Sequence, residues 1–324
     1  MHILTIFLII AVLFAVAAAL LCFISYHKTF YVPDRVPGKA SKPQIPDNHI
    51  YAEFKDVVNQ WILEARALPY EEMKITSHDG LDLYAKFYEF APGAPMEIMF
   101  HGYRGSAERD LAGGIQRAFK LGRSVLLVDQ RCSGKSGGNI ISFGINEHKD
   151  CLRWVEFAAK KFGPDRKIIL TGMSMGASTV LMVADKELPE NVIGILADCG
   201  YSTAKDVIKK VIRQMRLPAG IVYPFVKLTA RVFCHFDLEE HSPLEAVKRS
   251  RLPIIFYHGE ADDFVPCEMS RINFEACTSR KKLVTVPGAG HGLSYPKDPE
   301  RYLSALAEFF GPDASYSEAS SSAE

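Results

Sequence analysis

Ile168-Ile169-Leu170-Thr171-Gly172-Met173-Ser174-Met175-Gly176 is the stretch on which the reading of this chain turns. An apolar run of strand type leads into Gly-x-Ser-x-Gly, and a helical pattern follows from Met175. Such a turn demands small residues two places either side of the serine, because bulky ones would collide with the adjoining backbone, and it holds the serine itself under strain. It leaves an exposed hydroxyl at a sheet edge, with the N–H groups of the next helix directed at developing negative charge. The pattern alone is weak, since Gly and Ser are common. The strand before it and the helix after it select Ser174 as a nucleophile over an incidental loop serine.

An alkyl alcohol reacts only when a base takes its proton, so a histidine and an acid that orients it are required. Two strand ends supply them. Ile254-Ile255-Phe256-Tyr257 runs into His258-Gly259-Glu260-Ala261-Asp262-Asp263-Phe264-Val265-Pro266, and Leu283-Val284-Thr285-Val286 runs into Pro287-Gly288-Ala289-Gly290-His291-Gly292.

With these stretches in place the chain resembles an α/β-hydrolase over roughly residues 70 to 310. The resemblance matches Asp262 to the family's acid and His291 to its histidine, and leaves Asp263 as a solvated turn neighbour. Phe100-His101-Gly102-Tyr103-Arg104-Gly105-Ser106 resembles the oxyanion loop, implying that the backbone N–H groups of Tyr103 and Met175 receive the carbonyl oxygen. Donors of this kind are typically worth about 3–4 kcal/mol each in the transition state. Asp129-Gln130-Arg131-Cys132-Ser133-Gly134-Lys135-Ser136 resembles the family's D-x-R-G-x-G-x-S turn but carries Cys132 where glycine is expected. That loop reads as structural, with Asp129 and Arg131 as buried hydrogen-bonding groups, and His101 and His258 read as supports.

Around these motifs, short apolar runs alternate with helical stretches. Strands are expected at Met73–Ser77, Leu81–Phe87, Glu97–Phe100, Ser124–Val128, Lys167–Thr171, Val192–Ala197, Pro253–Tyr257 and Lys282–Val286, with helices near 108–121, 145–162, 175–187, 267–278 and 298–310. Asp79-Gly80 makes the first two strands an antiparallel hairpin. The fold class is therefore α/β: a mostly parallel eight-stranded sheet with helices on both faces. Residues 201–250 break the alternation with helical pattern alone and read as a cap over the carboxyl edge of the sheet, where open α/β folds bind ligands. Tyr201, Tyr223, Phe225, Phe233 and Phe236 make an apolar acyl pocket under that cap the expectation. Lys205, Lys209 and Arg213 lie opposite Ile208, Val211, Ile212 and Met215 on a basic amphipathic helix, which either packs its apolar stripe inward or lies on an anionic membrane.

Ile3 to Ile24 contains no charged residue and is long enough, at about 1.5 Å per residue, to cross the roughly 30 Å hydrocarbon layer as a helix. Ala17-Ala18-Ala19 imitates a signal-cleavage site, but no Lys or Arg precedes the run and its apolar character continues past the alanines, so residues 1–28 read as an uncleaved transmembrane anchor. Lys28, Arg35, Lys39 and Lys42 follow the span, which places the body on the cytoplasmic side. Seven scattered cysteines without C-x-x-C spacing suit a reducing compartment rather than a disulfide framework or a zinc site. Pro33, Pro37, Pro43 and Pro46 mark 29–48 as a tether, 49–311 is the hydrolase domain, and 312–324 reads as a disordered tail.

Thirty-eight basic residues balance thirty-eight acidic ones, so no net field draws the chain to nucleic acid. Gly134-Lys135-Ser136 imitates a P-loop end, but position 129 is Asp where that motif needs Gly; no G-x-G-x-x-G opens a helix after the first parallel strand; and His235 and His241 lack metal-ligand spacing. No cofactor and no metal are expected. The sequence thus points to a membrane-anchored serine hydrolase that cleaves carboxylic esters of small-molecule or lipid-like acyl substrates through an acyl-enzyme. A thioesterase or aminopeptidase would use the same constellation, and a non-catalytic hydrolase-like binding protein is the reading of another class.

Overall fold

The computed structural model describes residues 2–33, 49–311 and 314. Most of the expected tether (34–48) and, apart from Ala314, the expected tail lie outside the described residues. Helix α1 (His2–Ser25) runs directly into a π-helical turn at Tyr26–Phe30. Two further helices, α2 (His49–Ala52) and α3 (Lys55–Ala67), precede the sheet. There follow β1 (Glu71–Thr76), β2 (Asp82–Tyr88), β3 (Met96–Phe100), α4 (Ala107–Lys120), β4 (Ser124–Asp129), α5 (Glu147–Phe162), β5 (Ile168–Met173), α6 (Met175–Leu181) and β6 (Val192–Asp198). The cap helices α7 (Ala204–Gln214), α8 (Ala219–Phe233) and α9 (Pro243–Val247) come next. Then β7 (Ile254–Gly259), α10 (Cys267–Ala276), β8 (Lys281–Val286), α11 (Ser294–Lys297) and α12 (Pro299–Phe310) complete the domain.

The eight strands form one sheet in the order β1-β2-β4-β3-β5-β6-β7-β8. β1 and β2 pair antiparallel around Gly80, whose φ of +88° suits the tight turn, and β2 is also antiparallel to β4. Every other pairing is parallel. This is the expected sheet. The inner strands β3, β4 and β5 are apolar almost throughout because helices cover both of their faces. One face packs Met96, Ile98, Trp154, Leu170 and Phe256; the other packs Met99, Leu127, Ile169, Tyr257 and Leu306.

Three features differ from the sequence-based expectations. α3 was not among the expected helices, yet Val57, Val58, Trp61, Ile62 and Ala65 recur at helical spacing and bury Trp61, Ile62 and Ala65. α6 stops at Leu181 rather than reaching 187, because the amides of Ala184 and Lys186 bond three residues back, to Leu181 O (3.0 Å) and Val183 O (3.1 Å), and tighten the chain into turns. The first residues of the expected tether are folded onto the body. Phe30 is fully buried, meets Phe143 and Phe236 edge to face, and its carbonyl accepts from Ile141 N at 3.0 Å, while Val32 N donates to Asn139 O at 2.8 Å.

β3 carries a buried carboxylate, Glu97, between Arg117 of α4 and Arg123, with Thr171 Oγ1 of β5 donating to it at 2.8 Å and Arg123 Nη1 at 2.9 Å. Burial alone would raise this carboxyl, but the two guanidiniums outweigh it and hold it below the usual range. The Glu97→Ala protein leaves both cations uncompensated in the interior, so urea denaturation should show a loss of about 3–5 kcal/mol. Unchanged stability would mean that water or another acid replaces the carboxylate.

Candidate active site

The serine turn is shaped by steric exclusion. A Cβ on Gly172 would stand 2.2 Å from the carbonyl carbon and oxygen of Gly176, and one on Gly176 would stand 2.0 Å from Phe100 O at the end of β3. Only glycine permits that approach. Between the two glycines Ser174 takes φ +57° and ψ −119°, a conformation that L-residues rarely adopt, and its amide donates to Asp198 O at 2.8 Å.

The turns after β5, β7 and β8 bring Ser174, Asp262 and His291 together. His291 Nε2 lies 2.8 Å from Ser174 Oγ, and His291 Nδ1 lies 2.6 Å from Asp262 Oδ2. An ionised carboxylate only accepts, so Nδ1 carries the proton and the lone pair of Nε2 faces the hydroxyl. The other oxygen of Asp262 accepts the amides of Phe264 (2.9 Å) and Val265 (2.8 Å). His258 backs the acid, its Nε2 being 3.2 Å from Asp262 Oδ2 and 2.8 Å from Val265 O. Burial on its own would raise the Asp262 carboxyl; hydrogen bonds from His258 and His291 overcome it and hold the group well below its ordinary 3.8. Asp263 is exposed, and its carbonyl accepts from Lys210 and from Gln214 Nε2 of α7.

Tyr103 lines the same cavity as Ser174, and Met175 follows the serine directly in the chain. Met175 is the first residue of α6, where an amide has no partner within the helix. Gly102 lets the other loop come close, since a Cβ there would touch Ser174 Cβ at 3.4 Å, and its amide donates to Asp110 Oδ2 at 3.0 Å. The loop is tied on its other side to the end of the N-terminal helix. Tyr103 Oη donates to Thr29 O at 2.8 Å, and Arg104 Nη2 donates to Tyr31 O at 2.8 Å.

Supporting groups lie where the motifs put them. Arg131 is buried and bonds Asp150 Oδ2 at 2.7 Å and Asp79 Oδ2 at 3.0 Å. His101 is buried beside Gln130, and burial lowers its pKa. Cys132, the departure from the expected glycine, sits at φ +63°, the left-handed conformation that glycine favours.

A cavity of about 420 Å³ opens beside Ser174. Its walls differ from the expectation: Trp61 of α3, Leu111, Gly113 and Gly114 of α4, Phe264, and Tyr295 of α11 line it, whereas none of the five cap aromatics does. Tyr201, Tyr223 and Phe236 instead pack with Phe30, Met175, Ile208 and Ile212 in a core beneath the cap. α7 packs its apolar stripe inward, the first of the two arrangements open to that helix, and Lys205 and Lys209 face Glu239 and the Tyr223 ring. Gly113 admits the indole, because a Cβ there would meet Trp61 Cε3 at 2.6 Å. Paired glycines inside a helical pattern, each costing about 1 kcal/mol against alanine, were the available sign of a close approach. Asp198 also reaches the cavity; burial raises its carboxyl above the usual range although Tyr302 and Ser294 donate to it at 3.0 and 3.1 Å.

A family model described as the alpha/beta hydrolase fold matches residues 98–232. The uncharacterized protein YqkD of Bacillus subtilis is 28% identical over 190 residues, 58% of this chain and 62% of its own length. YNL320W of Saccharomyces cerevisiae, named an uncharacterized membrane protein, is 24% identical over 180 residues, 55% of this chain and 58% of its own. This chain thus spans about three-fifths of each of these two relatives. Among solved structures, the Pyrococcus furiosus esterase Pf2001 superposes with a TM-score of 0.64 at 22% identity, covering 87% of this chain and 99% of that one.

Because its folded-state pKa is depressed, the Asp262 carboxylate contributes stability that is complete above 3.8 and is lost as pH falls below that value toward the folded pKa. An acid titration followed by circular dichroism should therefore show a steeper stability loss below pH 3.8 in the wild type than in Asp262→Asn. Parallel curves would contradict this account of the charge.

Proposed function

The chain is a member of the α/β-hydrolase superfamily, and on that premise we propose that it is a serine hydrolase acting on carboxylic esters through an acyl-enzyme. The observation that carries the reading is the continuous relay Asp262–His291–Ser174, with contacts of 2.6 and 2.8 Å at the mouth of a cavity. His291 takes the Ser174 proton as Oγ attacks the acyl carbon, and the amides of Tyr103 and Met175 receive the oxyanion. His291 then protonates the departing alcohol, and water, activated by the same imidazole, releases the acid and restores the serine. Asp262 holds the imidazole tautomer and stabilises the imidazolium without itself taking the proton. Apolar walls at Trp61, Leu111 and Phe264 favour an acyl substrate with apolar character.

The full chain should be labelled by a fluorophosphonate probe, and Ser174→Ala should not; equal labelling of both overturns the assignment and leaves the non-catalytic reading. Loss of His291 should lower kcat for an aryl ester by on the order of 10⁶-fold. Turnover compared across aryl esters of rising chain length, acyl thioesters and aminoacyl amides separates ester cleavage from the other two chemistries.

The continuous helix Ile3–Phe30 is long and apolar enough to cross a membrane, and its apolar side chains from Ile3 to Val16 are exposed. We place it as an uncleaved anchor with the hydrolase domain in the cytoplasm, a reading supported by the basic flank after the span and by seven unpaired cysteines. An epitope tag after Glu324 should resist external protease in intact cells and be digested after permeabilisation; digestion in intact cells reverses the orientation.

A further inference from the structure

α8 is apolar on two faces, whereas a helix resting on a water-facing domain needs only one. Its inner face, including Tyr223, Val226 and Ala230, is buried in the core beneath the cap. On the outer face Ile221, Leu228 and Val232 follow at helical spacing and are 62%, 47% and 52% exposed, and Met215 and Leu217 ahead of the helix and Phe233 at its end are exposed too. Contiguous apolar surface of this kind marks an interaction site.

The neighbour of α8 identifies the occupant. From Ile3 to Ala17 every residue of α1 is exposed, but Cys22 and Ser25 are buried and Ala18 and Leu21 half-buried, and Thr229 Oγ1 of α8 donates to Cys22 O at 3.3 Å. α8 therefore packs along the last two turns of the helix that reads as the membrane anchor. At 1.5 Å per residue Ala18 lies about 9 Å from Ile24 along the axis, which is inside the hydrocarbon if the apolar run spans it. That is the depth, about 5–10 Å, at which interfacial helices bury an apolar face. Lys28, three residues after the buried Ser25 of α1, and Arg213 and Arg216, shortly before α8 in the chain, are exposed, with the charge that anionic headgroups attract.

We propose that the outer face of α8 is a second membrane contact, seated at the headgroup–acyl boundary of the leaflet in which the anchor ends. Bilayer lipid is its occupant, and the hydrolase domain is held against the membrane by the cap as well as by α1. The inference rests on the anchor reading, so the test reports on both.

The full chain is reconstituted in phosphatidylcholine–phosphatidylserine vesicles with or without brominated acyl chains. Tryptophan is introduced by Leu228→Trp, Val232→Trp, Leu13→Trp in the anchor, and Phe90→Trp between β2 and β3, at the edge of the sheet opposite the cap. Fluorescence of the unsubstituted chain is subtracted, since Trp61 and Trp154 are both buried. Brominated lipid should quench the added tryptophan at least twofold at positions 13, 228 and 232 and leave position 90 unchanged. Quenching at 13 with neither 228 nor 232 affected overturns the docking and keeps the anchor, and no quenching at 13 overturns both. Efficient cross-linking between copies through Leu228→Cys, without quenching at 228, identifies a second copy as the cover and also overturns the proposal.

Discussion

The turn after β5 lies so close to β3 that the carbonyl of Phe100 occupies the space a side chain on Gly176 would need. That contact links the chemistry to the sheet. β3 and β5 pair in parallel, Phe100 opposite Gly172, so the loop leaving β3 and the helix leaving β5 start side by side. A larger residue at either glycine would force the two strand ends apart, and the loop after β3 would separate from the serine turn. The left-handed backbone of Ser174 is the local cost, on the order of 1–3 kcal/mol, and it is sustained because the surrounding sheet allows the turn no other path.

The acid and the histidine reach the serine because parallel strands deliver successive loops to one edge. β7 and β8 are adjacent, so Asp262 and His291 leave the sheet as neighbours despite lying 29 residues apart, and Gly259 lets the acid loop pass the Ala289 carbonyl at a separation no Cβ would allow. Two backbone amides and two imidazoles converge on Asp262. Rigidity is the result: a carboxylate bonded on both oxygens cannot rotate away, and the tautomer of His291 follows from its orientation.

The sheet was legible in the sequence because buried parallel strands are apolar throughout and their ends are marked by glycine. Ser174, Asp262 and His291 were legible for the same reason, each lying in a turn that follows such a strand. The cavity beside Ser174 was not. The cap aromatics are as apolar as a pocket wall, and composition cannot tell a side chain that lines a cavity from one that packs under a helix; Tyr201 and Phe236 do the latter. The actual wall comes from α3, whose exposed face carries Lys55, Glu64 and Arg66 and masks the stripe that buries Trp61. Cys132 shows the same limit on a smaller scale. The motif marks the position for glycine, and the fold keeps the glycine conformation with another residue.

The N-terminal helix is part of the folded domain rather than an appendage to it. Its last carbonyls, at Thr29 and Tyr31, accept from Tyr103 and Arg104 on the loop beside Ser174, while Phe30 fills the core beneath the cap that also holds Met175. A flexible tether beginning at residue 29 would decouple α1 from the rest of the domain, and these contacts remove that freedom. Any tilt of α1 relative to the body must break hydrogen bonds to the loop after β3 or open the core around Phe30. The same rigid junction fixes how the apolar outer face of α8 lies relative to α1, so the two apolar surfaces answer to one geometric constraint.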